Sequence, residues 1–239
     1  MKKALLLSAL FALLGAIGGY FVAQGLALSG SIDLPDESVL SLALTIQAGV
    51  LTFLLSLIGL LLQKKTPFQL IDKTKARRGA GLALLFGLIT GFTIIASDAA
   101  LFSKLLPELE TNPPTFSLSG LLGGVFYGGI VEEVMMRLLG MTLIIFLISK
   151  IRKGKEPANK SYWIAIILTS LLFAVGHLPA NALIFGDLSF VVTTRALILN
   201  GIGGMFFGYL YWKHGFVFSV LAHMVAHIGM QVIFIPMFY

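Results

Sequence analysis

Cysteine is absent from the 239 residues, which removes disulfide frameworks, thiolate metal ligands, thiol nucleophiles and palmitoyl anchors together. Charge is scarce as well: 12% of the chain is Asp, Glu, Lys or Arg, against 57% apolar residues. With a mean hydropathy of +0.95, these proportions lie far outside the soluble globular range and describe a polytopic membrane protein. The length leaves no room for a separate soluble domain once spans of ~20 residues are counted. The expectation is one integral membrane domain over residues 1–239, an all-α transmembrane helical bundle. Its chemistry must come from oxygen and nitrogen groups.

Continuous apolar runs between polar breaks place candidate spans near 4–28, 39–62, 79–103, 118–149, 162–182, 190–212 and 215–238. That is seven spans, or eight if the unusually long fourth is broken. The net charge of +6 is explained by orientation and not by nucleic acid, because the basic residues gather in alternate loops. Lys2 and Lys3 precede the first span, Lys64 to Arg78 fill the second loop, Lys150 to Lys160 the fourth, and Lys213 the sixth. The opposite loops hold Asp33, Asp36, Glu37, Glu108, Glu110 and Asp187, with Lys104 and Arg195 as their basic residues. This asymmetry, with seven spans, predicts a cytoplasmic N-terminus and a C-terminus outside, and the expected location is a prokaryotic cell membrane. The first apolar run is too long for the h-region of a signal peptide, and it reads as a retained anchor.

The fourth run exceeds the thickness of a bilayer, which predicts a tilt, an extension towards Lys150 or a glycine-weakened start. Glycine pairs at four-residue spacing, Gly87 and Gly91, Gly124 and Gly128, Gly204 and Gly208, read as ordinary close helix packing. Within the same run lie Glu132, Glu133 and Arg137, where a charge at mid-bilayer costs roughly 2.5–3.5 kcal/mol on the mildest scale. Residues four apart share a helix face, so Glu133 is expected to neutralise Arg137. Glu132 then points elsewhere with no basic neighbour on its own helix, and an unpaired carboxylate in a cleft is a candidate general base towards water. His177, flanked by Gly176 and Pro179 and followed one turn on by Asn181, is a candidate partner. His223 and His227, also four apart, are spaced to aim two ring nitrogens at one point, as in helical zinc sites. His214 reads as interfacial and receives no role. No internal repeat of the two halves is visible, which weighs against an inverted-repeat transporter.

These residues resemble the CPBP family of intramembrane proteases, named for CAAX processing and bacteriocin protection and also called the Abi family, which includes the Ras-converting CAAX endopeptidases. The family carries EExxxR, then FxxxH, then HxxxN or HxxxD, on successive core helices. Here Glu132, Glu133 and Arg137 supply the first motif, Phe173 and His177 the second, and His223 and His227 the third, in that order. Gly204 to Gly215 is similar to the family's helix before the third motif, and the likeness covers about residues 118–230. Two positions depart from the pattern: His227 stands where Asn or Asp is usual, and Leu138 where Gly commonly follows the Arg.

The resemblance implies that Glu132 and His177 activate a water while His223 and His227 stabilise the oxyanion, with Glu133 and Arg137 holding the site in shape; Asn181, on the face of His177, is expected as further structural support. It also leaves open a catalytic metal, zinc foremost, held by Glu132, His177, His223 and His227. No other cofactor is implied. The expected activity is hydrolysis of a peptide bond in an apolar, lipidated or lipid-adjacent substrate at the bilayer, with or without that metal. Two other classes remain open: a proton- or ion-coupled transporter using the same ionisable groups, and a non-catalytic immunity or scaffold protein of the same fold.

Overall fold

A computed structural model describes residues 1–29 and 37–239 of the chain, so the acids Asp33 and Asp36 of the first loop lie outside the described residues. Eight helices account for most of them: α1 (Lys2–Ser29), α2 (Glu37–Gln63), α3 (Ala76–Ala100), α4 (Leu118–Ile151), α5 (Asn159–Gly176), α6 (Leu178–Phe185), α7 (Phe190–Lys213) and α8 (Phe216–Phe238). No strand occurs among the described residues. Seven stretches are long and apolar enough to cross a membrane, with α5 and α6 together forming one of them, Asn159–Phe185. The fold is the all-α integral membrane bundle expected from composition, and the chain is an integral membrane protein.

Local sequence sets several of these boundaries. Ser117, which follows Pro113 and Pro114, accepts from the amide of Gly120 at 3.2 Å and so caps the start of α4. Ser189 does the same for α7 through the amide of Val192 at 3.3 Å. Gly186 ends α6 at φ 77°, a left-handed conformation that side-chain-bearing residues rarely adopt.

Lipid-facing and buried surfaces separate cleanly. On α2 the residues Leu42, Ile46, Val50, Leu54 and Ile58 form an exposed apolar stripe with four-residue spacing, stable only where the surrounding medium is itself apolar. Inward, Leu138, Met141, Ile145, Ile166, Tyr211 and Phe216 are buried between α4, α5, α7 and α8. Gly87 and Gly91 let α3 approach α8 so closely that an added Cβ would come within 2.5 Å and 2.7 Å of the carbonyl oxygens of Ala222 and Ala226. Gly204 and Gly208 similarly admit Ser170 and Ile166 of α5 against α7. For these two pairs close packing is the observed role.

The fourth span departs from expectation. It is one unbroken helix from Leu118 to Ile151, so the eight-span alternative does not arise. From Gly124 to Glu132 and again from Val134 to Met141 it is wound as a π-helix. Each widened turn takes up more residues for a similar advance, which shortens a 34-residue helix that does extend past Lys150, as one of the three expectations had it. Wide turns of this kind concentrate at functional sites. Here the first run ends at Glu132, and Glu133 stands between the two.

Candidate active site

Glu133 and Arg137 are the most enclosed charges among the described residues, both with no exposed side-chain surface. Arg137 Nη1 lies 2.9 Å from Glu133 Oε1, and Nη2 donates to the carbonyl of Gly204 on α7 at 3.0 Å. The guanidinium is held between the rings of Phe173 and Phe207, 5.2 Å and 5.6 Å from their centroids. Ser219 donates a short hydrogen bond to the second oxygen of Glu133, and His223 Nδ1 lies 2.9 Å from the first. The expected pair therefore forms, and it is the hub that ties α4 to α7 and α8.

That hub fixes His223. A carboxylate only accepts, so Nδ1 of His223 carries the proton and donates to Glu133. The ring is stacked on Phe207 at 4.7 Å, and its Nε2 comes within 3.7 Å of Glu132 Oε2. His177 is fixed by a different device. It stands at the junction where α5 ends and α6 begins, and its Nδ1 donates to the carbonyl of Phe173 at 2.8 Å. This leaves its Nε2 3.9 Å from Glu132 Oε1. Glu132 thus lies between two imidazole Nε2 atoms, bonded to neither, with 21% of its side chain exposed.

The exposed part faces a cavity of about 440 Å³ lined by Val22 and Leu26 of α1, Tyr127 and Met136 of α4, and His177 and Leu183. A smaller one of about 190 Å³, walled by Gly120, Gly124 and Gly128, reaches Glu132, His177 and His227. A third, of about 200 Å³, touches His177, His223 and His227 from the side of Asn200 and Met230. All three meet His177.

His227 occupies the space that two glycines leave. An added Cβ at Gly124 would collide with its ring, and one at Gly128 would lie 2.7 Å from its Nε2 and 3.1 Å from His223 Nε2. Gly124 and Gly128, read from sequence as packing alone, seat the imidazoles. The rings of His223 and His227 stack at 5.2 Å and 14°, with both Nε2 atoms turned towards the space left at Gly128. Among the described residues no group of three or more His, Asp or Glu side chains is gathered to hold a metal ion. Glu132, His177, His223 and His227 as placed do not fit the four-ligand zinc site.

Asn181 is where the sequence placed it, donating to the carbonyl of His177 at 2.8 Å. What anchors it went unread. Asp98 of α3, 2% exposed, accepts a two-pronged hydrogen bond from Arg195 of α7, with Nε to Oδ1 at 2.6 Å. Arg195 Nη1 also donates to Asn181 Oδ1 at 3.0 Å. Arg195 is therefore inside α7 and paired, not a loop residue as its charge suggested. Asp98 carried the same signal as Glu132, an acid inside an apolar run. His214, expected at the interface, is buried at 3% exposure; its carbonyl accepts from the amide of Asp72 at 2.8 Å.

Residues 114–229 match the model of a family described as Rce1-like, type II CAAX prenyl endopeptidase Rce1-like. That stretch spans every site residue from Glu132 to His227 and leaves Asp98 outside. No curated protein and no solved structure matches the chain. The family match supports an intramembrane protease of the CAAX type in general terms, acting on a peptide substrate in the setting of a lipid bilayer.

Proposed function

Taking residues 114–229 as Rce1-like, we propose that this protein is an intramembrane endopeptidase in which Glu132 and His177 deprotonate a water that attacks the peptide carbonyl. The observation that carries the reading is the placement of Glu132 between the Nε2 atoms of His177 and His223, at 3.9 Å and 3.7 Å, on the wall of the 440 Å³ cavity. A carboxylate so placed is free to accept from a water, and His177, with Nδ1 committed to Phe173, presents a basic Nε2 to the same water.

The steps follow from proton positions. The water oxygen bonds to the carbonyl carbon as its proton passes to Glu132. Negative charge develops on the carbonyl oxygen. No hydrogen bond holds the His227 ring among the described residues, so its N–H is available to that oxygen, and His223 donates from Nε2 when its ring is doubly protonated. The C–N bond then breaks, and the proton held by Glu132 goes to the departing amine. Protein groups account for each step without a metal. The apolar walls supplied by Val22, Leu26, Met136 and Leu183 favour an apolar or lipid-adjacent peptide. The basic loops support a cytoplasmic N-terminus and a C-terminus outside.

The test is cleavage of a membrane-peptide library by purified protein in liposomes, with and without a chelator. Glu132→Gln and His177→Ala are expected to abolish product while folded yield stays near wild type. Full activity in either variant overturns the mechanism. Counter-flow of a solute without any cleaved product supports a carrier in its place.

A further inference from the structure

Arg78, Leu82 and Phe86 follow one another at four-residue spacing on α3, so they form one stripe along the helix. Phe206 and Tyr209 of α7 face this stripe and Trp163 of α5 closes it, enclosing a groove of about 320 Å³. Phe86 stacks on Phe206 with centroids 4.6 Å apart, and the rings of Trp163 and Tyr209 lie 6.3 Å apart. None of the residues around this groove lines the cavities at Glu132.

The groove is graded from end to end. Arg78 lies in the first turn of α3, among residues that begin the span, and Leu82 and Phe86 lie one and two turns deeper. Trp163 lies near the start of α5 and Tyr209 near the end of α7, the depth at which amphipathic rings sit at a membrane boundary. The charged end is also crowded with like charge. Lys75 and Arg77 precede Arg78 in the chain, Lys213 lies one turn beyond Tyr209, and Asp72, the acid of the loop before α3, is taken up by Lys75 at 2.7 Å. Among the described residues neither Arg77 nor Arg78 has an ion-pair partner. The reach of this field is visible at His214, whose imidazole is held below its ordinary range by burial first and then by Lys75 and Arg78.

We propose that this groove binds one anionic glycerophospholipid, with its phosphate at Arg78 between Trp163 and Tyr209 and an acyl chain lying over Leu82, Phe86 and Phe206. The shape asks for a molecule charged at one end and apolar at the other, and the bilayer supplies such molecules to this face. An anionic headgroup is selected over a zwitterionic one because a quaternary ammonium would face Arg77 and Lys213. The site is independent of the proteolytic reading, since it shares no residue with it.

The test is native mass spectrometry of the purified full chain in detergent, titrated with phosphatidylglycerol, with phosphatidylcholine of the same acyl chains, and with inorganic phosphate. A single saturable phosphatidylglycerol adduct is expected, with phosphatidylcholine markedly weaker. Arg78→Gln should weaken the adduct about fivefold, the factor that corresponds to ~1 kcal/mol per basic residue at a membrane surface. Arg152→Gln, a control at an exposed arginine in the loop after α4, should leave it unchanged. Leu82→Trp, which fills the groove and keeps the charge, should also weaken it. Equal binding of the two lipids, equal effects of Arg78→Gln and Arg152→Gln, an unaffected adduct in Leu82→Trp, or displacement of the lipid by inorganic phosphate would each overturn the proposal.

Discussion

Two adjacent glutamates have opposite situations, and the difference follows from where one turn of helix sends each. Glu133 is enclosed and holds three partners at once, Arg137, Ser219 and His223. Glu132 is partly exposed and bonded to none of the groups beside it. Glu133→Gln is therefore expected to destabilise the fold by about 3–5 kcal/mol, because it leaves Arg137 buried without its counter-charge. Thermal unfolding in detergent checks this, and a melting temperature equal to wild type refutes the pairing's importance. This much was legible in sequence, since four-residue spacing alone separates the two acids. The role of His227 was not, because spacing does not show that the two rings stack. If its N–H serves the oxyanion, His227→Asn keeps a donor and most of the turnover, while His227→Ala loses about 10²–10³-fold. Single-turnover rates of the two variants distinguish this from a merely packed histidine, for which alanine would remain active.

Among the elements, the helix that carries the acids and the junction that carries His177 are stabilised by unrelated means. The π-wound turns of α4 were not legible, because the apolar pattern is continuous on every face and gives no period to measure. Its length gave the only hint. The α5–α6 junction was half legible: Pro179 and Asn181 announce the break at His177, but the groups that hold Asn181 come from α3 and α7, far apart in sequence. Asp98 and Arg195 make a buried pair whose free prong grips Asn181, and Asn181 in turn grips the His177 carbonyl. Removing Arg195 strands a buried carboxylate, so Arg195→Leu should cost both stability and turnover. The double variant Asp98→Asn with Arg195→Leu should recover much of the stability, since no uncompensated charge remains, yet stay slow because Asn181 is no longer held. Melting curves and turnover measured on both proteins separate the two effects. Recovery of both together would show that the pair acts on stability alone.

Across the whole molecule, the seven spans and their order were readable from hydropathy, because every crossing must be a long apolar helix. The ties between loops were not, because they are made by backbone groups that carry no sequence signature. The loop after α2 docks on the turn between α7 and α8: the amides of Phe216 and Val217 donate to the carbonyls of Gln69 and Leu70 at 3.1 Å and 3.0 Å, and that of Asp72 to His214 at 2.8 Å. His214 is buried under this clasp, and its imidazole is held below the ordinary range by burial, then by the positive charges of Lys75 and Arg78. The folded state therefore prefers the neutral ring. Its contribution to stability is complete above the unfolded value of 6.5 and is lost as the pH falls below it, because the unfolded chain then binds the proton more readily. Asp72 works in a separate window, since its hydrogen bonds from Lys75 and Thr74 hold its carboxyl down at about 2 and keep it ionised while His214 titrates. The melting temperature of the wild type should thus fall between pH 7.5 and pH 5 by more than that of His214→Gln, whose amide has no proton to gain. The same scans run on both proteins decide the matter: parallel losses would mean that the clasp over His214 is indifferent to its charge.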